Sequence, residues 1–395
     1  FPARLEGLAD LVAFTATVDD TIARLVQDSI PSTVTTLAVG VDAQAGTNAN
    51  DTFNAFSQDA NGAAATTLGA SDNINGSVGY DTLNIFATAS VNNVAAGTFN
   101  SLETINIHNT ATTTAEMYGK GAIGASMFAG ATAIWQIGSK AQDVVGLGNE
   151  TTAGFRNTTG QTLSVSTDAA TASIALDNVG ASSGNQLDIN VIGSNVTKVV
   201  LAGTVVGSST TVDLDMLGST KVNLVDALGL AGSLVISTDM LADGGTIKLG
   251  TGRDVVYAGS KSTATNFESI GTMEKADPVS MTGDSAVAIA ARADADVIAF
   301  GAGSVVANAN AAVTAGTIAN GVLTFAGSAP SSIAAAIAIA DAAAETAGEV
   351  LVFEYLGSSY VFQQAATDIV VRLTGTVGIT NLVEFGADSN TFFIV

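Results

Sequence analysis

Two stretches of this sequence set glycine and aspartate at spacings suited to a hard cation. Asp42-Ala-Gln-Ala-Gly46-Thr-Asn48-Ala-Asn-Asp51-Thr-Phe53-Asn aligns with Asp72-Asn-Ile-Asn-Gly76-Ser-Val-Gly79-Tyr-Asp81-Thr-Leu83-Asn. Each reads Asp, three residues, Gly, four residues, Asp, Thr, a large apolar residue, Asn. Gly250-Thr-Gly252-Arg-Asp254-Val-Val256 is a shorter third copy. All three approximate the nonapeptide G-G-x-G-x-D-x-U-x, in which U is large and apolar. Glycine permits the tight turn and turns its carbonyl inward. The aspartate adds a carboxylate, and U enters the core. Calcium takes about six to eight oxygens, so one turn supplies only part of a shell and a neighbouring turn must complete it. The cofactor this spacing points to is Ca2+. Its candidate ligands are Asp42, Gly46, Asn48, Asp51, Asp72, Gly76, Gly79, Asp81, Gly250, Gly252 and Asp254. The competing reading is a set of plain β-turns whose Asp side chains bond nearby amides.

Catalytic chemistry has little to work with. The single histidine, His108, excludes an H-E-x-x-H zinc site, and the lack of cysteine excludes thiol nucleophiles, zinc–thiolate sites and disulfides. A G-x-S-x-G occurs as Gly180-Ala-Ser182-Ser-Gly184. A nucleophile elbow needs strand, turn and helix, and no helical pattern follows here. His108 also precedes Ser182, against the usual order in that fold. The chain is therefore expected not to be an enzyme. His108 is expected at a strand end facing solvent, Phe128 and Trp135 in the core, and Asp294 and Asp296 in a solvated turn.

Composition narrows the partners. Thirty-six acidic residues face 13 basic ones, a net charge of −23. Nucleic acid would need basic patches that this balance lacks. The acidity suits calcium, and equally suits solubility alone. The most apolar run, Ser331 to Ala344, carries Asp341 and falls short of the roughly 20 residues of a membrane span. The start, FPARLEGLADLV, lacks a basic region followed by an apolar block and lacks an initiator Met. The sequence thus reads as a processed form or a piece of something longer.

The elements that must position these residues are mostly strands. Residues 1–32 carry a helical stripe of Leu5, Leu8, Leu11 and Val12, continued by Ile22, Leu25 and Val26 and ended by Pro31. From 33 to 260, short Thr/Val/Ile-rich runs such as Thr82–Phe86, Leu187–Val191 and Ser233–Ser237 alternate with Gly, Asn, Asp and Ser. Repeating turns favour a solenoid over a sandwich. Residues 261–395 contain an Ala-rich helix, Ser331–Ala347, and strands at Val350–Tyr355, Ser359–Phe362 and Ile369–Leu373. The expected fold is mainly β: a parallel β-solenoid or β-roll with a short amino-terminal helical segment and a small carboxy-terminal α/β cap.

VGVDAQAGTNANDTFNA (39–55), ASDNINGSVGYDTLNI (70–85) and the strand Ser101–Ile107 together resemble the opening of the RTX-type S-layer proteins of alphaproteobacteria. Phe353-Glu-Tyr-Leu-Gly357-Ser-Ser-Tyr360-Val-Phe362 and Asp368-Ile-Val-Val-Arg372-Leu-Thr-Gly375 resemble that family's carboxy-terminal end. The two ends cover about a quarter of the chain; the middle is similar only in composition and strand texture. The resemblance implies a calcium-stabilised solenoid, export by type I secretion with an uncleaved carboxy-terminal signal, and assembly of copies into a lattice on the bacterial cell surface. It also implies anchoring to cell-surface polysaccharide through an amino-terminal domain. Relatives carry a large helical domain there, whereas about 30 helical residues precede the repeats here. The alternative expectation is an RTX-type adhesin or extracellular matrix fibre.

Overall fold

The computed structural model describes residues 31–63, 65–87, 97–109, 122–139, 141–158, 160–180, 186–206, 211–276, 295–307, 315–384 and 390–395. Residues 1–30 of the expected helical segment lie outside these, as do Ser182, Gly184 and Asp294. The chain is mainly β and built from parallel strand stacks, as a β-solenoid requires. It divides into two units, Phe1–Gln142 and Asp143–Val395. Among the described residues no helix is long and apolar enough to cross a membrane.

In the first unit the chain winds between two parallel sheets. One holds β1 (Val34–Thr36), β3 (Thr52–Phe56), β5 (Thr82–Ala87), β7 (Thr104–Asn109) and β10 (Ala133–Ile137). The other holds β2 (Ala43–Ala45), β4 (Asn73–Asn75), β6 (Thr98–Asn100) and β9 (Phe128–Ala129), with β8 (Ala122–Gly124) preceding β9. Alternation sends every second side chain inward. Phe53, Leu83, Ile105 and Ile134 stack in register as one buried column, and Ala55, Ile85 and Ile107 as a second. Ile74, Phe99 and Phe128 meet them from the opposite sheet side.

Outward positions form ladders of like residues. Asn84 Nδ2 donates to Asn54 Oδ1 at 2.9 Å, and Asn106 Nδ2 to Asn84 Oδ1 at 3.0 Å. The rings of Phe56, Phe86 and His108 stack at 4.9 and 4.7 Å. Trp135 lies beside Asn106 on this outward face and is half-buried, so it is not the core residue its size suggested; Phe128 is in the core. Register places Trp135 there: Ile134 takes the inward position, and its neighbour must point out.

The second unit repeats the plan. One stack holds β12 (Thr152–Arg156), β14 (Thr171–Val179), β16 (Lys198–Val205), β18 (Leu224–Ala231), β20 (Thr246–Lys248) and β22 (Ser269–Gly271). The other holds β11 (Asp143–Leu147), β13 (Thr162–Thr167), β15 (Leu187–Ile192), β17 (Thr211–Leu217), β19 (Ser233–Ser237), β21 (Val255–Tyr257) and β23 (Val297–Ala299). The stacks end in an α/β cap comprising β24 (Val305–Val306), β25 (Gly316–Ala319), β26 (Val322–Phe325), α1 (Ile333–Ala343), β27 (Glu349–Tyr355), β28 (Ser358–Gln363), β29 (Ile369–Thr374), β30 (Leu382–Glu384) and β31 (Thr391–Ile394). Strand β29 continues the parallel stack beside β22, then pairs antiparallel with β28, and β28 with β27. Strand β31 closes the other stack by pairing antiparallel with β23. Ser332 caps α1 through its side chain, and α1 buries Ala336, Ile337 and Ala340 in a core with Leu351, Phe353 and Phe362.

Candidate metal centre

The candidate residues sit where the chain turns from one sheet to the other. Asp51 and Asp81 occupy the same corner on successive coils of the first unit, just before β3 and β5. The Asp51 amide donates to Asp81 Oδ1 at 2.6 Å, and the Asp81 amide donates to Glu103 Oε2 at 2.6 Å. Each carboxylate thus accepts from the coil before it. Asp42 and Asp72 form a separate rung before β2 and β4, where the Asp42 amide donates to Asp72 Oδ1 at 2.9 Å. The eleven candidates are therefore not one site. They fall into a corner with Gly46, Asn48, Asp51, Gly76, Gly79 and Asp81, a rung of Asp42 and Asp72, and a corner of the second unit with Gly250, Gly252 and Asp254.

The carboxylates differ in how fully amides satisfy them. Asp72 accepts from Asp42 on Oδ1 and from the Gly69 amide on Oδ2, at 2.6 Å. Asp42 accepts from the Ala38 amide at 3.0 Å and from Gln44 at 3.4 Å. These two act as turn acceptors, which is the plainer of the two sequence readings. Asp51 accepts from the amides and hydroxyls of both Thr33 and Thr47. Burial works to raise its carboxyl, but the bonds from Thr33 and Thr47 outweigh it and hold the pKa below the usual value.

Asp81 is different. It is 0% exposed, and its Oδ2 has no hydrogen-bond partner. Burial pushes its pKa up to about 6, against the bond from the Asp51 amide and with help from the Glu103 and Asp51 charges. A buried carboxylate oxygen without a donor is costly, by about 1–3 kcal/mol or more. The glycines bring further oxygens to this corner. A Cβ on Gly76 would overlap both the Ser101 carbonyl oxygen and Asp81 Oδ2. A Cβ on Gly46 would overlap the Gly76 carbonyl oxygen and lie 2.7 Å from Asp51 Oδ2. Gly79 has φ +151°, and a Cβ there would overlap the Ala49 carbonyl oxygen. Carbonyls and carboxylates thus converge where glycine leaves room. Asn48 is exposed on the turn between Gly46 and Asp51.

In the second unit Asp254 is also 0% exposed. Its Oδ1 accepts from the Leu234 amide at 2.8 Å, while Oδ2 has no partner. The Asp254 amide donates to Asp296 Oδ1 at 3.0 Å, and the Glu274 amide to Asp296 Oδ2 at 2.6 Å. Asp296 is therefore buried within the corner ladder, not in a solvated turn, because β23 carries it onto the next coil beside Asp254. Burial, with Glu274 nearby, raises Asp254 to about 7 against bonds from the Leu234 and Gly250 amides. Burial and the Asp254 charge raise Asp296 to about 8. A Cβ on Gly250 would overlap the Leu230 and Ala227 carbonyl oxygens, and Gly252 has φ +109°.

Among the described residues, no three of His, Asp and Glu gather as a metal cluster. A cation at these corners would draw on one carboxylate, backbone carbonyls and water, a set that suits calcium and not zinc. The Asp81 and Asp254 corners fit that description; the Asp42–Asp72 rung, fully supplied with donors, does not. Sequence reasoning missed Glu103 and Asp296. Neither stands in a Gly-x-Gly-x-Asp pattern, and only coil register shows that each lies one rung beyond a motif aspartate. His108 points outward and stacks on Phe86. No family model matches the sequence, and no curated protein or solved structure is detectably similar to it.

Proposed function

We propose that this chain is a structural subunit of a self-assembling bacterial surface layer, stabilised by calcium and exported to the cell surface by type I secretion. The calcium part rests on one observation: Asp81 Oδ2 is buried without a donor where Gly76 brings the Ser101 carbonyl close. A cation there offsets the repulsion among Asp51, Asp81 and Glu103. Because an unfolded chain has no such corner, its binding free energy adds to folding free energy. Low calcium inside the cell would then keep the chain unfolded for export, and higher calcium outside would fold it. The surface-structural part rests on the RTX-type resemblance at both ends of the sequence and on a fold of stacked coils.

Electron microscopy of the purified protein with calcium and with EGTA tests the reading, together with circular dichroism and thermal melts. Regular sheets or tubes only in calcium, and a lower Tm in EGTA, are the expected results. Isolated rods or fibrils would favour the adhesin or matrix-fibre reading. A spectrum and Tm indifferent to EGTA would remove calcium.

A further inference from the structure

A buried carboxylate outside every Gly-x-Gly-x-Asp motif lies where the last coils of the second unit meet the cap. Glu268, just before β22, is 0% exposed, and its Oε1 has no hydrogen-bond partner. Its Oε2 accepts from the Ser262 hydroxyl, and Ser262 Oγ lies 3.2 Å from Thr238 Oγ1. The Gly259 amide donates to Thr238 Oγ1 at 2.8 Å. Ser262 and Thr238 are also 0% exposed. A line of buried oxygens thus runs from the turn after β19, through the turn after β21, to the entry of β22. Strand β29 of the cap closes over it: the Val370 amide donates to the Ser262 carbonyl at 2.9 Å, and the Arg372 amide to the Glu268 carbonyl at 3.0 Å. The cations alongside are engaged elsewhere. Lys261 Nζ donates to the Asp239 carbonyl at 2.7 Å, and Arg372 Nε to Ser269 Oγ at 3.0 Å. Burial pushes the Glu268 carboxyl up; bonds from Ser262 and its own amide oppose this, and the Asp243 and Asp239 charges add to it. A Cβ on Gly259 would overlap the Asp239 carboxyl, so glycine admits that carboxylate to the turn.

We propose that Glu268 anchors a further calcium site, separate from the motif corners, that clasps the last coils of the second unit to the cap. Carboxylate and hydroxyl oxygens, with no nitrogen or sulfur among them, select a hard cation. Protonation does not complete the site. A proton on Oε1 would remove the charge but would itself be a buried donor without an acceptor. A proton on Oε2 would compete with the Ser262 hydroxyl and leave Oε1 as it is. A cation on Oε1 supplies the missing partner and offsets the repulsion from Asp243 and Asp239 together. Ser262, held between Thr238 and Glu268, orients the carboxylate for it. One carboxylate is only part of calcium's shell, so backbone carbonyls and water must supply the rest. The inference depends neither on the Asp81 and Asp254 corners nor on the surface-layer reading, since none of its residues belongs to a motif.

Equilibrium dialysis of the full chain against calcium tests this, with thermal melts in calcium and in EGTA alongside. Glu268→Gln should bind one calcium ion fewer per chain. Its Tm should match or exceed the parent's in EGTA, where it removes an uncompensated buried charge, and fall below the parent's in calcium. A residue that only packs would shift both melts the same way. The double variant Asp81→Asn/Asp254→Asn, which empties the motif corners, should leave this site filled, and adding Glu268→Gln to it should remove a further ion. Loss at the corners and loss here are thereby read separately. Should Glu268→Gln fail to fold, Ser262→Ala carries the test: the carboxylate stays, and calcium affinity at one site should fall by about tenfold or more. An ion count unchanged by Glu268→Gln overturns the proposal, and so does a Tm raised equally in calcium and in EGTA, which would make Glu268 a neutral buried acid. Unaltered calcium affinity in Ser262→Ala overturns it as well.

Discussion

The replacement Asp254→Asn should stabilise the metal-free protein at pH 8. Asp254 is buried, its Oδ1 takes the Leu234 amide, and its Oδ2 has no donor. Its pKa is raised from 3.8 to about 7, at about 1.4 kcal/mol per unit a penalty of roughly 4 kcal/mol on the ionised folded state. The sign follows from linkage. A carboxyl raised in the folded state binds its proton more tightly there than in the unfolded chain. Its cost is absent below the unfolded value of 3.8, grows between 3.8 and about 7, and is complete above. Acidification from pH 8 towards 4 therefore strengthens this corner. Asparagine keeps the Oδ1 acceptor and removes the charge beside Asp296. Part of the penalty persists through Asp296, so about 1–3 kcal/mol should be recovered at pH 8 in EGTA. Urea unfolding from pH 4 to 8 is the assay. The variant should show the shallower pH dependence, with the two curves converging near pH 4. A variant less stable than the parent by more than about 1 kcal/mol at pH 8 in EGTA, or one with the same slope, would refute the reasoning.

Two further predictions concern the first unit. Gly76→Ala should cost about 2–4 kcal/mol, because its Cβ would overlap a backbone carbonyl that belongs to the next coil and cannot rotate away. Gly69→Ala, whose Cβ would lie 3.3 Å from the Gly40 oxygen, is the control and should cost less than about 1 kcal/mol in the same urea titration. Asn84→Ala removes both side-chain bonds of the amide ladder and should cost about 1–2 kcal/mol, whereas Asn54→Ala at the ladder's end should cost about half that.

Much of the fold was legible because strands declare themselves locally. Ser233–Ser237 occurs where its alternation placed it, and Thr82–Phe86 and Leu187–Val191 each lengthen by one residue. The cap helix is shorter than its Ala-rich run: Ser332 sets its start by capping, and it ends at Ala343. The motif aspartates were equally plain as corner residues, since a Gly-Asp turn after a short strand has few other places to go.

What the sequence determined by itself was therefore the material: period-two strands, glycine turns with acidic corners, no cysteine, and a helix and aromatic strands towards the carboxy end. The tertiary structure alone decided which corner lies over which. Coil length sets that register, and it varies; Val34 stacks on Thr52, Thr52 on Thr82, and Thr82 on Thr104. With unequal coils, no spacing in the sequence predicts that Glu103 follows Asp81 or that Asp296 follows Asp254. Burial follows the same rule, because a carboxylate becomes costly only when the next coil covers it. That is why Asp42, Asp51, Asp72 and Asp81, alike in the sequence, separate into three with amide donors for both oxygens and one, Asp81, with an oxygen left over.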